Sequence, residues 1–559
     1  MERLVVVVIF LSFISCAKLG SPIGGAKDTI PPRLIGYNID TSRVNVSTSA
    51  RELRLYFDEY VVLKDVRKNL IISPPIEYKK IVPTQLGNKY ISIQWDKPLK
   101  ENTTYNFNFG NSISDLNEGN VLHYFNFAFS TGEKMDRLFL SGTVKSGYFL
   151  PEKNAAASSK KNHFLVGLYP LKGSVDYTKK PYYVTLADPD GYFELDHLAQ
   201  GEYQLLAFDD TDENGIFSPG KEEVYFSSDT LYLNKKGVSG LDIKLFPSRK
   251  KLKFKESKEI QSGILFLFEG NPRKVDIVSQ EESLLDYKIQ HCAYSDSAYV
   301  WLGRESLEAI DKKKPMSLKF RYQADSLKGA TSIFYKGKEN GEIDLSNAVG
   351  TKLLPSQKMI LASNYPVTKI YTDNWKLSSD SVYQSFSVNV LERDPTKIKI
   401  AVNSEFVPGR KYTLLVPEGS VFSNNKVLSK NHQFNFEIEK KEELGSLRIE
   451  FSKVPNAKFW VQLLDSKGDI KYSRYTQDKT IWFDDLRPDI YWIRILVDEN
   501  ENGIWEAVDF SLLKPAEPAY LYDKPIEIKP LWELVENSWN PFVSGVGSDK
   551  RTISEKVEN

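Results

Sequence analysis

Tyr203-Gln-Leu-Leu-Ala-Phe-Asp-Asp-Thr-Asp-Glu-Asn-Gly-Ile-Phe217 and Tyr491-Trp-Ile-Arg-Ile-Leu-Val-Asp-Glu-Asn-Glu-Asn-Gly-Ile-Trp505 are one pattern written twice. In each copy an apolar run of strand length breaks into a loop of Asp, Asn and Gly, residues that close turns by bonding their own backbone. A second pair repeats in the same way. Tyr105 precedes Phe127 and Phe129 as Tyr412 precedes Phe434 and Phe436, and Leu99-Lys-Glu-Asn-Thr-Thr-Tyr105 parallels Phe406-Val-Pro-Gly-Arg-Lys-Tyr412. The order is therefore A–B, an intervening segment, then A–B again. Alternating runs such as Leu53-Arg-Leu-Tyr-Phe57, Tyr90-Ile-Ser-Ile-Gln-Trp95 and Phe125-Asn-Phe-Ala-Phe129 give each strand one apolar face. No long apolar stripe of helical period interrupts them. The expected fold class is all-β: tandem β-sandwich domains from about Arg33 onward.

Composition agrees with several separate cores. The chain has 559 residues, 41% hydrophobic and 13% aromatic, which excludes a disordered chain. Lys plus Arg number 74 and Asp plus Glu 74, so no net charge draws the protein to nucleic acid. Only two cysteines occur, Cys16 and Cys292, too few for a disulfide framework if Cys16 is modified. Cys292 lies in Tyr287-Lys-Ile-Gln-His-Cys-Ala293, which reads as a strand, and is expected to be a buried, inert thiol.

At the start, Glu2-Arg3 precede an apolar run from Leu4 to Phe13, followed by Ile14-Ser15-Cys16. The run is too short to span a bilayer and fits the core of a signal peptide. A small residue directly before a cysteine resembles the bacterial lipobox, although Phe13 stands where Leu is usual. That resemblance implies cleavage after residue 15 and acylation of Cys16, palmitate included. Residues 16–30, rich in Gly, Ser and Pro, read as a flexible tether.

Type A resembles the bacterial Ig-like domain first described in S-layer proteins. The resemblance rests on Asp28-Thr-Ile-Pro-Pro-Arg-Leu34, Leu55-Tyr-Phe-Asp-Glu-Tyr60, Ile72-Ser-Pro-Pro75, Ile113-Ser-Asp-Leu-Asn-Glu-Gly-Asn120 and Phe127-Ala-Phe-Ser-Thr131. The second copy is degenerate and reads Phe422-Ser-Asn-Asn-Lys-Val427 where the first has its acidic loop. Type B resembles the transthyretin-like modules known as carboxypeptidase regulatory domains, through Leu140-Ser-Gly-Thr-Val144, Asp188-Pro-Asp-Gly-Tyr-Phe-Glu-Leu195 and Leu198-Ala-Gln-Gly-Glu-Tyr203. The expected layout is a signal peptide over 1–15, the tether over 16–30, an Ig-like domain over 31–133 and a transthyretin-like domain over 134–248. A β-domain without a family follows over 249–350, then a second Ig-like domain over 351–438, a second transthyretin-like domain over 439–530 and a tail over 531–559. The whole layout resembles Ig-like-domain outer-membrane lipoproteins of the Bacteroidota.

One constellation carries chemistry. Asp210, Asp212 and Asn214, with Gly215 next, and Asp498, Asn500 and Asn502, with Gly503 next, place oxygen side chains at alternate positions, as the start of a calcium loop does. At the twelfth position the first loop has Lys221, which cannot ligate, and the second has Asp509. The same residues would serve equally as Asx turns that cap their own backbone. No His-Glu-x-x-His, Gly-x-Ser-x-Gly or Cys-x-x-Cys pattern occurs. The aromatic pairs Trp482-Phe483 and Tyr491-Trp492 read as core, or as a carbohydrate platform. No catalytic residues and no cofactor are expected, beyond structural calcium at the two loops. The expected function is a non-catalytic, lipid-anchored envelope scaffold that binds other outer-membrane proteins, including β-barrel assembly or transport complexes, and no nucleic acid. The alternatives are a surface glycan-binding lipoprotein and an enzyme housed in the middle domain. Metabolic labelling with a fatty acid is expected to mark the wild type and not Cys16→Ala; label on the variant would overturn the anchor.

Overall fold

The computed structural model describes residues 28–543, apart from 85, 152–162, 172, 174, 261–262, 283, 285, 312–315, 337–341, 392–396, 424–427 and 429. Cys16, the expected signal peptide and the expected tether up to residue 27 lie outside the described residues. Strands dominate, and the chain is all-β with sandwich domains in series.

Among the described residues, five hydrophobic cores lie one per domain along the chain, each lined by the apolar face of alternating strands, and a sixth cluster joins the two B domains through Phe208, Phe217, Phe226 and Val508. In the first, Leu53, Leu55 and Phe57 on strand Glu52–Leu63 face Tyr105, Phe107 and Phe109 on strand Thr104–Gly110. Strands Leu34–Tyr37, Glu52–Leu63, Asn88–Trp95 and Tyr78–Val82 form one sheet in that order. Strands Ile71–Ser73, Thr104–Gly110 and Phe125–Ser130 form the other. Each large side chain buried this way contributes about 1.5–3 kcal/mol. The repeated tyrosines have repeated jobs. Tyr105 Oη accepts the Lys100 N–H and Tyr412 Oη accepts the Val407 N–H, both at 2.8 Å. In the B copies, Tyr203 Oη donates to the Ala199 carbonyl and Tyr491 Oη to the Arg487 carbonyl, both at 2.9 Å.

The first B domain places strand Leu138–Ser146 between antiparallel Tyr192–Leu198 and parallel Val238–Pro247. At the turn before Tyr192, the Asp188 carboxylate accepts the N–H groups of Asp190 and Tyr192. Gly191 there has φ +86°, and a Cβ would run into the Val144 carbonyl oxygen, so the turn requires glycine. The second B domain repeats the parallel closure with Glu533–Glu536 beside Gly445–Glu450. This corrects the expected boundary at 530: residues 531–543 belong to the domain, because its central strand needs that edge partner and Trp539 and Phe542 pack on its core. The start of the second A domain shifts likewise. Ile343 and Leu345 join its core, and strand Leu345–Asn347 pairs with Met359–Ser363, ahead of the expected start at 351.

The middle domain packs a four-stranded sheet on a three-stranded one, and helix Arg304–Asp311 presents Leu307 and Ile310 to the same core. Cys292 is exposed rather than buried, because it sits in a turn closed by the Ser295 N–H on its carbonyl, past the end of strand Tyr287–His291.

The two B domains touch, although the middle and second A domains separate them in sequence. Ser248 and Val508 form a parallel bridge, with the Arg249 N–H on the Val508 carbonyl at 2.7 Å and the Val508 N–H on the Pro247 carbonyl at 3.0 Å. Phe510 lies edge-on to Phe217 at 4.6 Å, Tyr177 at 5.1 Å and Phe226 at 6.1 Å between ring centroids. Tyr148 of the first B domain stacks on Trp505 at 4.8 Å and lies under the Arg494 guanidinium at 4.0 Å. Arg494, nearly fully buried, also donates to the Tyr148 carbonyl.

Candidate functional site

The twin acidic loops end the two equivalent strands Gly201–Asp209 and Asp489–Asp498. Asp210 is 1% exposed and its two oxygens accept the N–H groups of Asn214 and Gly215. Asp498 is fully buried and accepts those of Asn502 and Gly503 in the same way, with Tyr475 Oη donating a third bond at 2.6 Å. Burial pushes the Asp210 carboxyl up, but His163 and the two N–H groups outweigh this and hold it below the usual range.

Each loop is locked by a second carboxylate that the sequence pattern missed. Glu222 accepts the Thr211 and Ser218 N–H groups; Glu517 accepts those of Glu499 and Glu506. These two glutamates are therefore equivalent, and segment 507–516 stands where the first copy has only 219–221. That longer segment carries Phe510, the side chain seated on the first B domain.

The expected calcium ligands divide accordingly. Asp210, Asp212 and Glu222 bring one oxygen each within 4.8 Å of one another, a span that a divalent cation could occupy. Among the described residues this is the one such trio of acidic, His or Cys side chains. Asp509 does not close the second loop. Its carboxylate accepts the Ser511 and Leu512 N–H groups and lies 3.8 Å from Arg249, because the inserted segment carries it away. Asn214, Asn500 and Asn502 spend their side-chain oxygens on the N–H groups of Ile216, Asn502 and Ile504, as Asx turns do. Of the aromatic pairs, Phe483 and Tyr491 are core, while Trp482 is 49% exposed beside Arg448.

A cleft of about 1100 Å³ lies between the first A domain and the first B domain, close to the first acidic loop. Its A wall is the outer face of strand Thr104–Gly110, where Asn106 and Asn108 alternate with the core residues Tyr105, Phe107 and Phe109. Its B wall is the outer face of strand Tyr192–Leu198, carrying Tyr192, Glu194 and Asp196. His163 lies at the junction with both ring nitrogens buried and without a hydrogen bond; Nδ1 is 3.7 Å from Asp210. Ser73 Oγ joins the walls, accepting the Val184 N–H and donating to the Val184 carbonyl.

The first A domain carries one further built loop, on its other sheet. The buried Asp115 carboxylate gathers the N–H groups of Glu118, Gly119 and Asn120. Residues 28–131 match the bacterial Ig-like domain family. The Ig-like domain thus supplies the asparagine wall. No curated protein matches the chain. Among solved structures, the chain is similar to the S-layer protein rSbsC(31-844) at 12% identity, over 90% of this chain and 68% of that one, with a TM-score of 0.14. It is similar to the Bacteroides ovatus mixed-linkage glucan utilization locus protein SGBP-B at 8% identity, over 66% and 89%, with a TM-score of 0.20. It is also similar to BcpA, the major pilin subunit of Bacillus cereus, at 10% identity, over 72% and 99%, with a TM-score of 0.12. Scores this low carry no argument about function.

Two adjacent glutamates give the first B domain a pH signature. Burial raises Glu222 to about 7, helped by the charges of Asp212 and Asp210, and raises Glu223 to about 8, helped by Asp209. Both folded values lie above the ordinary 4.5, so the folded state binds protons more tightly than the unfolded one. The associated stability is present in full at acid pH and is lost as pH rises through about 7 to 8. Urea unfolding, followed by hydrogen exchange in peptides covering residues 203–226, is expected to show this domain weakening from about pH 5 to about pH 8. Glu223→Gln should remove part of that slope; a flat wild-type profile would contradict the assignment.

Proposed function

We propose that the chain is a non-catalytic, lipid-anchored envelope scaffold that docks other outer-membrane proteins. The observation that carries this reading is an exposed apolar patch on the last domain. On the outer face of the sheet formed by Thr480–Leu486, Gly445–Glu450 and Glu533–Glu536, Arg448 pairs in register with Trp482 on one side and Val535 on the other. Trp482 and Val535 are 49% and 46% exposed, and the neighbouring Leu531 and Trp532 are 70% and 45% exposed. Tryptophan and arginine are the side chains most often found to dominate protein–protein contacts, and a clustered apolar patch of this kind marks a docking surface. The bridge between the two B domains supports the same reading, because it ties the domain carrying this patch to the first B domain.

The reading includes acylation at Cys16, with the tether placing the sandwiches next to the outer membrane. The partner that fits is an outer-membrane protein presenting an apolar surface to the two tryptophans and Val535, since Arg448 is already paired with Glu450 at 3.0 Å. Affinity purification of the full tethered chain from solubilised membranes is expected to recover β-barrel outer-membrane proteins. The double variant Trp482→Asp, Trp532→Asp should lose them while keeping its melting temperature. Recovery of the same proteins by the variant, or of no membrane protein by the wild type, would overturn the reading.

A further inference from the structure

We propose that the cleft between the first Ig-like domain and the first B domain binds a neutral oligosaccharide, an activity separate from protein docking. The residue choice on its walls is what points there. Asparagine is disfavoured in strands, yet Asn106 and Asn108 occupy successive outward positions of Thr104–Gly110, and Asn126 is the cross-strand partner of Asn108. Asn108 has a local task, its Oδ1 accepting the Gly110 N–H at 2.9 Å, but core packing accounts for neither Asn106 nor Asn126, since Tyr105, Phe107 and Phe109 already fill the core face. A carboxamide offers both a donor and an acceptor in one plane, which suits the paired hydroxyls of a sugar ring.

Unsatisfied groups converge on the same space. Asn106 Oδ1 and His163 Nε2 are buried without a hydrogen-bond partner, while His163 Nδ1 faces Asp210 at 3.7 Å, and both residues line the cleft. Leaving such a group unpaired costs about 1–3 kcal/mol, so the site is short of hydrogen-bonding groups that a polyhydroxylated ligand would supply. Two phenol rings stand at the rim for stacking on the apolar face of a sugar: Tyr124 is 67% exposed and Tyr192 is 45% exposed. Tyr192 is oriented by the bond from its Oη to Glu194 at 2.8 Å.

Charge argues against an anionic ligand. Asp65, Asp188, Glu194 and Asp196 face the cleft against Lys64 and Lys68, and Lys68 is already engaged by Glu213 at 2.8 Å, so an anionic ligand would be repelled. A peptide that adds a strand needs an open sheet edge. Strand Tyr183–Leu186 is one such edge, and there Ser73 Oγ already holds both backbone groups of Val184; Tyr192–Leu198 and Phe125–Ser130 also end their sheets, so a peptide is the competing ligand that the comparison probe tests. The cleft is also large, at about 1100 Å³, against roughly 300–1,000 Å³ for ordinary small-molecule sites.

The test is titration of the purified full-length protein in detergent with neutral α- and β-linked gluco-, manno- and galacto-oligosaccharides, with a polyanionic oligosaccharide and an unstructured peptide as comparison probes. At least one neutral series should bind. Asn126→Ala and Tyr192→Ala, which leave the cores untouched, should each weaken it by about tenfold or more with unchanged melting temperatures. Binding that is the same in both variants, binding only of the polyanion or the peptide, or no binding by any neutral series would overturn the proposal. Neither cleft variant should alter capture of outer-membrane proteins, so this inference and the docking reading fail separately.

Discussion

The arrangement depends on one intramolecular contact: segment 507–516 of the second B domain seated on the first. Phe510 enters the aromatic group of Phe217, Tyr177 and Phe226, and the main chain on either side is pinned by the Ser248–Val508 bridge. Beyond this contact, the domains distant in sequence meet at Tyr148 on Trp505 and Arg494 and at Asn502 on Tyr294, and the contacts between sequence neighbours are thin. Arg487 on Glu439 joins the last two domains, and Ser73 on Val184 joins the first two. Partly exposed ion pairs such as Lys68–Glu213 contribute at most about 1 kcal/mol each. Apolar burial around Phe510, and the buried Arg494 held by Gln462 and Tyr148, contribute most of what keeps the two halves together.

The two acidic loops show how one local solution serves two ends. In both copies a buried aspartate collects two N–H groups and a glutamate collects two more, so the loop is rigid whatever stands between them. Because the frame is self-sufficient, the second copy tolerates an insertion ahead of Glu517. The insertion becomes the docking element. The first copy keeps its short connection and instead leaves three carboxylates close together beside His163 and the cleft.

Much of this was legible in the sequence, for identifiable reasons. The paired tyrosines and paired Asp/Asn/Gly loops mark the repeats because each fixes a hydrogen bond that no neighbouring residue can replace. The all-β class followed from alternation alone. What the sequence hid depends on residues distant from one another. Counting twelve positions from Asp210 lands on Lys221, one residue short of Glu222, and counting from Asp498 lands on Asp509, which the insertion carries off to Arg249. The closing strand Glu533–Glu536 is short and half exposed, so only its partner Gly445–Glu450 identifies it. The cleft arises where the outward faces of two sheets from different domains meet. Its one linear trace is the asparagines of Tyr105-Asn-Phe-Asn-Phe109, which alternation reads simply as the polar face of a strand.

The central claim is that the two B domains are docked in the native chain, and amide hydrogen exchange at Arg249 and Val508 tests it most directly. Each N–H is held by a carbonyl of the other domain, Arg249 on Val508 and Val508 on Pro247. The account predicts slow exchange at both amides in the full-length protein, turning fast in Phe510→Asp while the core amides of each B domain stay protected. Fast exchange at both amides in the wild type would contradict it.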